Sequence, residues 1–280
     1  MRIGLSLGVG GARGWAHLGV LQALEEKGIC IDLVNGASIG AVVGAAYALY
    51  QDTGKMFSLA KQATEAVNVN YFNIFRYPSD GASFLSNILL NAICDIAALR
   101  SFLISHRNNI KALETIFGDY EFHETRIPFS SVATDLVSRK LVSIRKGRLV
   151  DGILPSISIP GIFPPIKMDD SLLVDGGVLA NVPVRELRKD GAEFVIAVRL
   201  IDRAKPKFRN GFELLSYVDS LKFREINKRE LANADFVLDI DTAGLDGGKF
   251  DDYETAISIG HLEATKRLPE LMKRLDRVVK

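Results

Sequence analysis

Short apolar runs alternate along the chain with longer stretches in which apolar residues recur every three or four positions. The short runs predict buried strands and the longer stretches predict amphipathic helices. This alternation favours an α/β fold with a mostly parallel sheet covered by helices on both faces. Strands are predicted at 3–7, 30–34, 127–136, 140–147, 171–177, 193–200 and 234–240. Helices are predicted at 14–28, 38–50, 52–68, 84–119, 148–157, 211–232 and 254–275.

The alternation of predicted strands and helices continues along the chain without a break that would indicate a domain boundary. Because the chain contains no internal repeat and no low-complexity linker, we expect residues 1–280 to form a single domain. The motifs discussed below lie in 1–200, and a strand with helices in 201–280 completes the domain. The N-terminus has no signal-peptide pattern, and no stretch reaches about 18 uninterrupted apolar residues. A cytoplasmic protein without a membrane span is the expectation.

Composition argues against two classes of protein. The 48% of hydrophobic and 25% of charged residues are typical of a globular domain rather than a disordered chain. Lys and Arg together number 35 against 34 for Asp and Glu, so the charge balance gives no reason to expect a nucleic-acid partner. Cys30 and Cys94 stand in apolar surroundings, which predicts buried thiols in a reducing compartment.

Four glycines follow the first predicted strand: Gly8, Gly10, Gly11 and Gly14. In such a loop the backbone N–H groups can point at an anion, beside the positive end of the next helix. A dinucleotide fingerprint with Asp32 as its acidic residue is one interpretation, but the glycine spacing is one residue too long and Asp32 begins its strand. An oxyanion hole is a second interpretation, which the cation of Arg13 favours. A tight turn is the third, and the loop alone leaves all three open.

The segment NGASIG, at 35–40, places Ser38 between Gly36 and Gly40 in the spacing G-x-S-x-G. A nucleophile on a sharp strand-to-helix turn needs small residues two positions before and after it. An ordinary helix N-cap is the alternative role for the same serine. Since neighbouring parallel strands end at one edge of a sheet, we expect Ser38 and the loop at 8–14 to meet there.

A base for this serine has two candidate sources. Ser38, Asp239 and His261 follow the chain order of an α/β-hydrolase triad, but only two strands precede the serine and His261 falls within a helix. Asp175 ends an apolar strand, and Gly176–Gly177 free its carboxylate to project from the sheet edge. Burial would raise its pKa toward a useful range, although a simple turn is the alternative. The other histidines are expected to pack or lie at the surface: His17, His106 and His123.

Three motifs in this order, GVGGARG at 8–14, GASIG at 36–40 and DGG at 175–177, resemble those of the patatin-like phospholipase family. The stretches ATDLVSRKLVSIRKG, SISIPGIFPP and DGGVLANVPV extend the resemblance over roughly residues 1–200. The resemblance implies a three-layer α/β/α sandwich with a mostly parallel central sheet, and a Ser–Asp dyad without histidine. One departure is Val9, where the family commonly has a glycine, because valine does not easily adopt a positive φ.

Carried onto this sequence, the resemblance implies that Ser38 is the nucleophile and Asp175 the base. It also implies that the loop forms an oxyanion hole from Gly10, Gly11, Ala12, Arg13 and Gly14. The activity it implies is hydrolysis of lipid carboxylic esters, of a phospholipid or a lysophospholipid, without a metal or cofactor. A catalytically weak or regulatory member of the family is the alternative.

The expected partner is therefore a lipid or acyl-ester substrate. Residues 71–104 carry many apolar side chains with polar ones between them. One hypothesis is a mobile cap that guides acyl chains or touches a bilayer transiently, which would make the protein peripheral to membranes. A buried pair of helices is the alternative, and the sequence makes no prediction of the oligomeric state.

Overall fold

The computed structural model describes residues 1–67, 102, 104–201, 211–242, 244, 245 and 250–279. Its strands are β1 Ile3–Leu7, β2 Leu33–Ala37, β3 Phe129–Asp135, β4 Lys140–Ile144, β5 Ile166–Met168, β6 Ser171–Asp175, β7 Phe194–Ile201 and β8 Phe236–Asp241. Its α-helices are α1 Ala16–Glu26, α2 Ile39–Tyr50, α3 Thr53–Val67, α4 Arg107–Phe117, α5 Leu149–Ile153, α6 Val184–Lys189, α7 Gly211–Leu231 and α8 Tyr253–Val279. Short 3-10 turns lie at Gly11–Trp15, Phe122–Glu124, Pro155–Ile157, Gly176–Val178 and Phe250–Asp252.

The strands form one mixed sheet in the order β5-β6-β3-β2-β1-β7-β8, and β4 also pairs with β3. The five strands from β3 to β8 along this order are parallel, whereas β4 and β6 run antiparallel to β3. The parallel part is built from strand–helix–strand connections, as the sequence pattern predicts. The carboxyl ends of β1 and β2 therefore lie at one edge.

Two strands share one side of β3, and this arrangement matters for the site. β4 pairs with residues 131–135 of β3 and occupies one side of that strand. On the other side, β2 pairs with residues 129–132 and β6 with residues 133–135. Since β6 is antiparallel to β2, the last residues of these two strands face each other end to end.

Apolar residues cover both faces of the sheet, which makes three layers. One cluster packs the sheet against α6 and consists of Leu33, Val182, Val184, Leu187, Ala192, Val195 and Ala197. A larger cluster lies on the opposite face and includes buried residues of α1, α2, α3 and α8. Successive residues of β7 alternate between the clusters, because side chains of a strand point to opposite faces. The predicted α/β/α sandwich is confirmed.

The α8 helix packs closely against α1 at two glycines. A Cβ at Gly19 would overlap the carbonyl of Ile257, and a Cβ at Gly260 would overlap the carbonyl of Ala16. This contact joins the C-terminal part of the described chain to the first helix of the sheet. None of the helices in the described residues combines the length and apolar character needed to cross a bilayer.

Some boundaries and environments differ from the predictions. The second strand covers 33–37 rather than 30–34, because the polar Asn35 and the glycine that follows it are buried within the sheet. Cys30 then falls before the strand and is exposed, so the prediction of a buried thiol is wrong for it. Short β5 and α6 were missed, since three or six residues are too few for a periodic pattern. Cys94 and most of the predicted 84–119 helix lie outside the described residues.

Candidate active site

Ser38 has a backbone conformation that residues with side chains rarely adopt. It connects β2 to α2 with a φ of 56° and a ψ of −130°. A Cβ at Gly36 would overlap the carbonyl of Gly40, and a Cβ at Gly40 would overlap the carbonyl of Leu7. Ser38 does occupy the N-cap position of α2, but its hydroxyl makes no capping bond to that helix, so capping does not account for the serine side chain.

Asp175 reaches this serine because of the end-to-end arrangement of β2 and β6. Ala37 opposes Val132 of β3, and Asp175 opposes Ala133, the next residue along. The chain leaving Asp175 passes so close to the end of β2 that a Cβ at Gly176 would lie 3.4 Å from the Ala37 Cβ. The register of three strands thus brings together two residues that are far apart in sequence.

The Asp175 carboxylate lies buried beside Ser38 at this junction. Its Oδ1 accepts the Gly177 N–H at 2.7 Å. Burial raises the pKa of Asp175 to about 6, although the interactions with the Ser38 side chain and the Gly177 N–H act in the opposite direction. A carboxylate with this pKa accepts a proton more readily than an ordinary aspartate and is still mostly ionised at neutral pH.

Two serines of the segment SIS hold the backbone on both sides of the junction. The Ser156 Oγ accepts the Ser38 N–H at 3.0 Å and donates to the Val132 carbonyl at 2.6 Å. The Ser158 carbonyl accepts the Asp175 N–H at 3.0 Å. Sequence reasoning did not single out Ser156. In the sequence, Ser156 is one of two serines in a proline-bounded loop. Polar residues of loops usually face solvent, so this pattern gave no indication of a buried structural role.

The glycine loop lies against the beginning of α2. Gly11 has a φ of 56° and begins the 3-10 turn, and a Cβ at Gly14 would overlap the Ile39 side chain. The first N–H groups of a helical turn, here those of Gly11 and Ala12, have no partner within the turn and favour an anion. Arg13 is half-buried in the same turn.

Val9 fits this loop without the left-handed conformation. Its φ is not positive, its N–H donates to the Asn181 carbonyl at 2.9 Å, and its side chain faces Gly177. A Cβ at Gly177 would come within 2.7 Å of the Val9 Cγ1. The valine therefore places no positive-φ strain on the loop and closes the space beside the turn after Asp175.

His17 connects the loop to α1. Its ring is buried, and Nε2 donates to the Gly8 carbonyl at 2.7 Å. Burial lowers the pKa of His17 to about 4, against the opposing effect of this hydrogen bond, so the ring is neutral at pH 7. The histidine expected only to pack or face water thus fixes the carbonyl at the beginning of the glycine loop.

Ser38 lines an apolar cavity of about 120 Å³. Gly11 and Ser38 both line it, so the loop and the serine face the same space. Most of its other lining among the described residues is apolar: Trp15, Ile39, Val42, Ala63, Ala112, Leu113, Ile116, Ile157, Ile159, Phe163 and Phe250. Two polar residues, Thr64 and Asn109, also contribute. The surroundings favour a hydrocarbon chain over a charged group.

Comparison with known families identifies this arrangement. The profile described as patatin-like phospholipase matches residues 5–188, which include the glycine loop, Ser38 and Asp175. The chain belongs to the patatin-like phospholipase family. The three motifs noted in the sequence fall within the matched range, so the resemblance is confirmed.

Two curated relatives are much longer than the region that matches this chain. An uncharacterized NTE family protein of Mycobacterium tuberculosis is 33% identical over 199 residues, which cover 71% of this chain and 49% of that protein. Lysophospholipase NTE1 of the yeast Meyerozyma guilliermondii is 33% identical over 199 residues, which cover 70% of this chain and 12% of that protein. The chain therefore spans half or less of these relatives.

A solved structure shares the patatin-like fold. VipD from Legionella pneumophila matches 96% of this chain and 66% of its own length, with a TM-score of 0.54 and 15% sequence identity. At that identity the similarity concerns the fold alone.

In this patatin-like chain the alternative Ser–Asp–His triad is wrong. His261 Nε2 lies 2.8 Å from the Glu26 carboxylate, across the contact between α8 and α1. Asp239 instead accepts two hydrogen bonds of 2.7 Å each from Arg199 of the neighbouring strand. Neither group faces Ser38.

The dinucleotide interpretation is also wrong. The Asp32 carboxylate accepts the Ile3 N–H at 2.7 Å, at the amino end of β1. The glycine loop lies at the opposite end of that strand, so Asp32 is too far away to bind a ribose beside it. Among the described residues, no three His, Cys, Asp or Glu side chains cluster so that they could hold a metal ion.

The surface role predicted for His106 is wrong as well. Its ring is buried, stacks on Phe163 at 5.3 Å between centroids, and donates from Nε2 to the Pro164 carbonyl at 2.8 Å. It thereby supports one wall of the cavity. His123 is exposed as predicted, and most of the proposed cap at 71–104 lies outside the described residues.

Proposed function

We propose that this chain hydrolyses carboxylic esters of lipids, with Ser38 as nucleophile and Asp175 as base. The observation that carries the proposal is the position of Ser38 beside a buried carboxylate whose pKa is raised to about 6. Family membership supports it, and the similarity to a lysophospholipase favours a phospholipid or lysophospholipid ester.

In the first half of the proposed reaction, Asp175 accepts the Ser38 proton while the serine oxygen attacks the ester carbonyl. Backbone N–H groups of the loop Gly10–Gly14 stabilise the resulting oxyanion, an effect worth about 2.7–4 kcal/mol for one donor. The tetrahedral intermediate then loses the alcohol, which takes the proton from Asp175. An acyl-serine remains.

In the second half, water enters and Asp175 accepts one of its protons. The hydroxide formed attacks the acyl-serine, and the same N–H groups stabilise the second oxyanion. Collapse of this intermediate releases the fatty acid and returns the proton to the Ser38 oxygen. A single carboxylate thus serves as base and acid twice, which requires a pKa not far below the working pH.

The cavity supports a long acyl group rather than a small polar ester. Its lining is mostly apolar, and Ser38 and Gly11 contribute to that lining. An acyl chain placed there would be removed from water, a transfer worth about 0.8 kcal/mol for each buried CH₂ group. The head group would then remain on the side of the site away from the chain.

The test is hydrolysis of a short-chain chromogenic ester and of lysophosphatidylcholine by the purified chain. Ser38→Ala and Asp175→Asn should each reduce kcat by about a thousandfold or more, because both act in one unit. Matched controls are Asp239→Asn and His261→Ala, which alter the groups of the alternative triad and should keep the activity. A fluorophosphonate probe should label Ser38 in the wild type only.

Two results would count against this function. Hydrolysis that survives both Ser38→Ala and Asp175→Asn would place the chemistry elsewhere. A well-folded wild-type chain that neither labels nor hydrolyses any ester of a lipid panel would favour a regulatory member of the family. Thermal unfolding of each variant separates these results from a loss of folding.

A further inference from the structure

The antiparallel part of the sheet extends beyond the edge at which the site lies. Ala133 of β3 is level with Asp175, and the strand continues to Asp135 before a turn at 136–139 reverses the chain into β4. At about 3.3 Å per residue, Val137 stands roughly 13 Å past the level of Asp175. The turn between β5 and β6 projects alongside it.

This projecting tip carries apolar side chains in solvent. Val137 is 64% exposed, Leu136 45% and Leu172 36%. Turns of this kind normally carry Gly, Asn, Asp, Ser or Pro at their centre, because those residues tolerate the backbone and the water. Adjacent exposed apolar residues at the end of a hairpin are typical of a surface that contacts something apolar.

The register places Leu136 and Leu172 on one face together with a lysine. Leu136 donates its N–H to the Leu172 carbonyl at 2.9 Å, and Leu172 is paired with Lys167 of β5. Directly opposed residues of neighbouring strands project from the same face. Leu136, Leu172 and Lys167 therefore form a row. Lys140 is paired with Asp135 and lies on the other face of the same tip, and Arg139 lies in the turn between the two faces.

A buried carboxylate holds the tip in one conformation. Asp135 accepts the N–H groups of Val137 and Ser138 in the turn, at 3.0 and 3.2 Å. It also accepts the Leu172 N–H and the Ser171 hydroxyl of β6, each at 3.1 Å. Because one side chain connects both projecting hairpins, little conformational entropy remains to be lost when the tip binds a partner.

We propose that this tip, formed by Leu136, Val137, Leu172, Arg139, Lys140 and Lys167, docks the protein on a bilayer that contains anionic lipids. The apolar side chains would enter the interface and the basic ones would meet head-group phosphates, the combination found in peripheral proteins. The inference rests on the proposed function, since a lipid hydrolase must reach its substrate at a membrane surface.

Two acidic residues limit the electrostatic share of this docking. Asp169 and Asp170 occupy the exposed turn between β5 and β6, next to the basic group. They offset part of the positive charge of Arg139, Lys140 and Lys167. The apolar residues are therefore expected to supply most of the binding, with a smaller contribution that weakens as salt increases.

The test is co-sedimentation with vesicles of phosphatidylcholine alone and of phosphatidylcholine with phosphatidylserine. All chains carry Ser38→Ala, so binding is measured without hydrolysis and does not depend on the proposed reaction. Leu136→Ser with Val137→Ser should weaken binding by roughly a hundredfold or more, as the burial of two aliphatic side chains implies. Leu262→Ser with Met272→Ser, at equally exposed sites of α8, is the matched control and should bind as the parent does.

Arg139→Gln with Lys167→Gln should weaken binding only to the vesicles that contain phosphatidylserine. Equal binding by the tip variant and its control, or no binding by the parent chain, would overturn the proposal. So would a parent dimer that the tip substitutions convert to a monomer in analytical ultracentrifugation, because the tip would then serve self-association. Thermal unfolding confirms that each variant is folded.

Discussion

The two halves of the candidate site are built in different ways. The serine half consists of consecutive residues, with Gly36 and Gly40 on either side of Ser38 at the end of one strand. The aspartate half depends on the register of β6 against β3 and on the Ser158 carbonyl. A local motif thus positions the serine, whereas tertiary structure positions the carboxylate. Substitutions elsewhere in the chain should therefore disturb the position of Ser38 less than that of Asp175.

Apart from substitution of Ser38 or Asp175 themselves, the strongest expected effect comes from breaking the serine half at Gly40. In Gly40→Ala the new Cβ would overlap the Leu7 carbonyl and lie 2.6 Å from that of Gly8, and main-chain atoms cannot move aside as side chains can. Displacement of the turn by about 1 Å should lower kcat by roughly a hundredfold. Steady-state hydrolysis of the chromogenic ester measures it.

Gly44→Ala, one turn further along α2, is the matched control. Its nearest contacts would be side chains, which can shift: Val34 at 3.0 Å, Phe129 at 3.3 Å and Leu7 at 3.6 Å. Its kcat should stay within a few-fold of the wild type. Equal losses in the two variants would show that helix packing in general, and not the turn, limits the reaction.

The next largest effect is expected on substitution of Ser156, which connects the serine half of the site to β3. Ser156→Ala removes the acceptor of the Ser38 N–H and the donor to the Val132 carbonyl, leaving two buried groups without these partners. Each such loss costs about 1–3 kcal/mol, so we expect lower stability and a kcat reduced by roughly tenfold to a hundredfold. Chemical denaturation and kinetics on the same sample measure both.

Ser158→Ala supplies the comparison, since the Asp175 N–H is accepted by the backbone carbonyl of Ser158 and not by its hydroxyl. That variant loses the bond to Leu154 and keeps the bond to Asp175. Its kcat should fall less than that of Ser156→Ala. The reverse order would mean that the aspartate half is held mainly by side chains of this loop.

This division explains what the sequence could predict. The G-x-S-x-G spacing and the glycine loop are local, so Ser38 and the loop at 8–14 were expected at one edge of the sheet. Asp175 was chosen over His261 by its position at the end of an apolar strand and by the family resemblance. The end-to-end meeting of β2 and β6 is a property of register, and no single segment encodes it.

The roles of Ser156 and His17 could not be predicted from the sequence, and the physical reason is the same for both. Ser156 and His17 both act on backbone groups of distant segments, Ser38 and Gly8. A buried serine or histidine of this kind has no periodic or spacing signal, because its partner is a carbonyl or N–H that every residue carries. Their roles follow only once the chain is folded, whereas most strand and helix positions follow from apolar periodicity.

A smaller effect is expected on the pH dependence of the aspartate half. Because burial raises the pKa of Asp175 to about 6, the base is protonated below that pH and kcat/KM should fall about tenfold per unit there. An ordinary aspartate would give the same fall near pH 4. A pH–rate profile of the chromogenic ester checks this, and a plateau that persists down to pH 5 would contradict it.

The last expected effect is on stability rather than on the rate, and it tests the anchor of the glycine loop. His17 has a pKa of about 4 in the folded chain against an ordinary 6.5, so the unfolded chain binds its proton first as the pH falls. The wild type should therefore lose roughly 3 kcal/mol of unfolding free energy between pH 7 and pH 4 through this group. His17→Leu removes the pH-dependent loss of stability, but it leaves the Gly8 carbonyl without its donor, which costs about 1–3 kcal/mol at every pH.

Denaturation of the wild type and His17→Leu at pH 7 and pH 4.5 should show the variant less stable at neutral pH and nearer to the wild type in acid. The contribution of Asp175 cancels in this difference, and a difference independent of pH would mean that His17 is already accessible to protons in the folded chain.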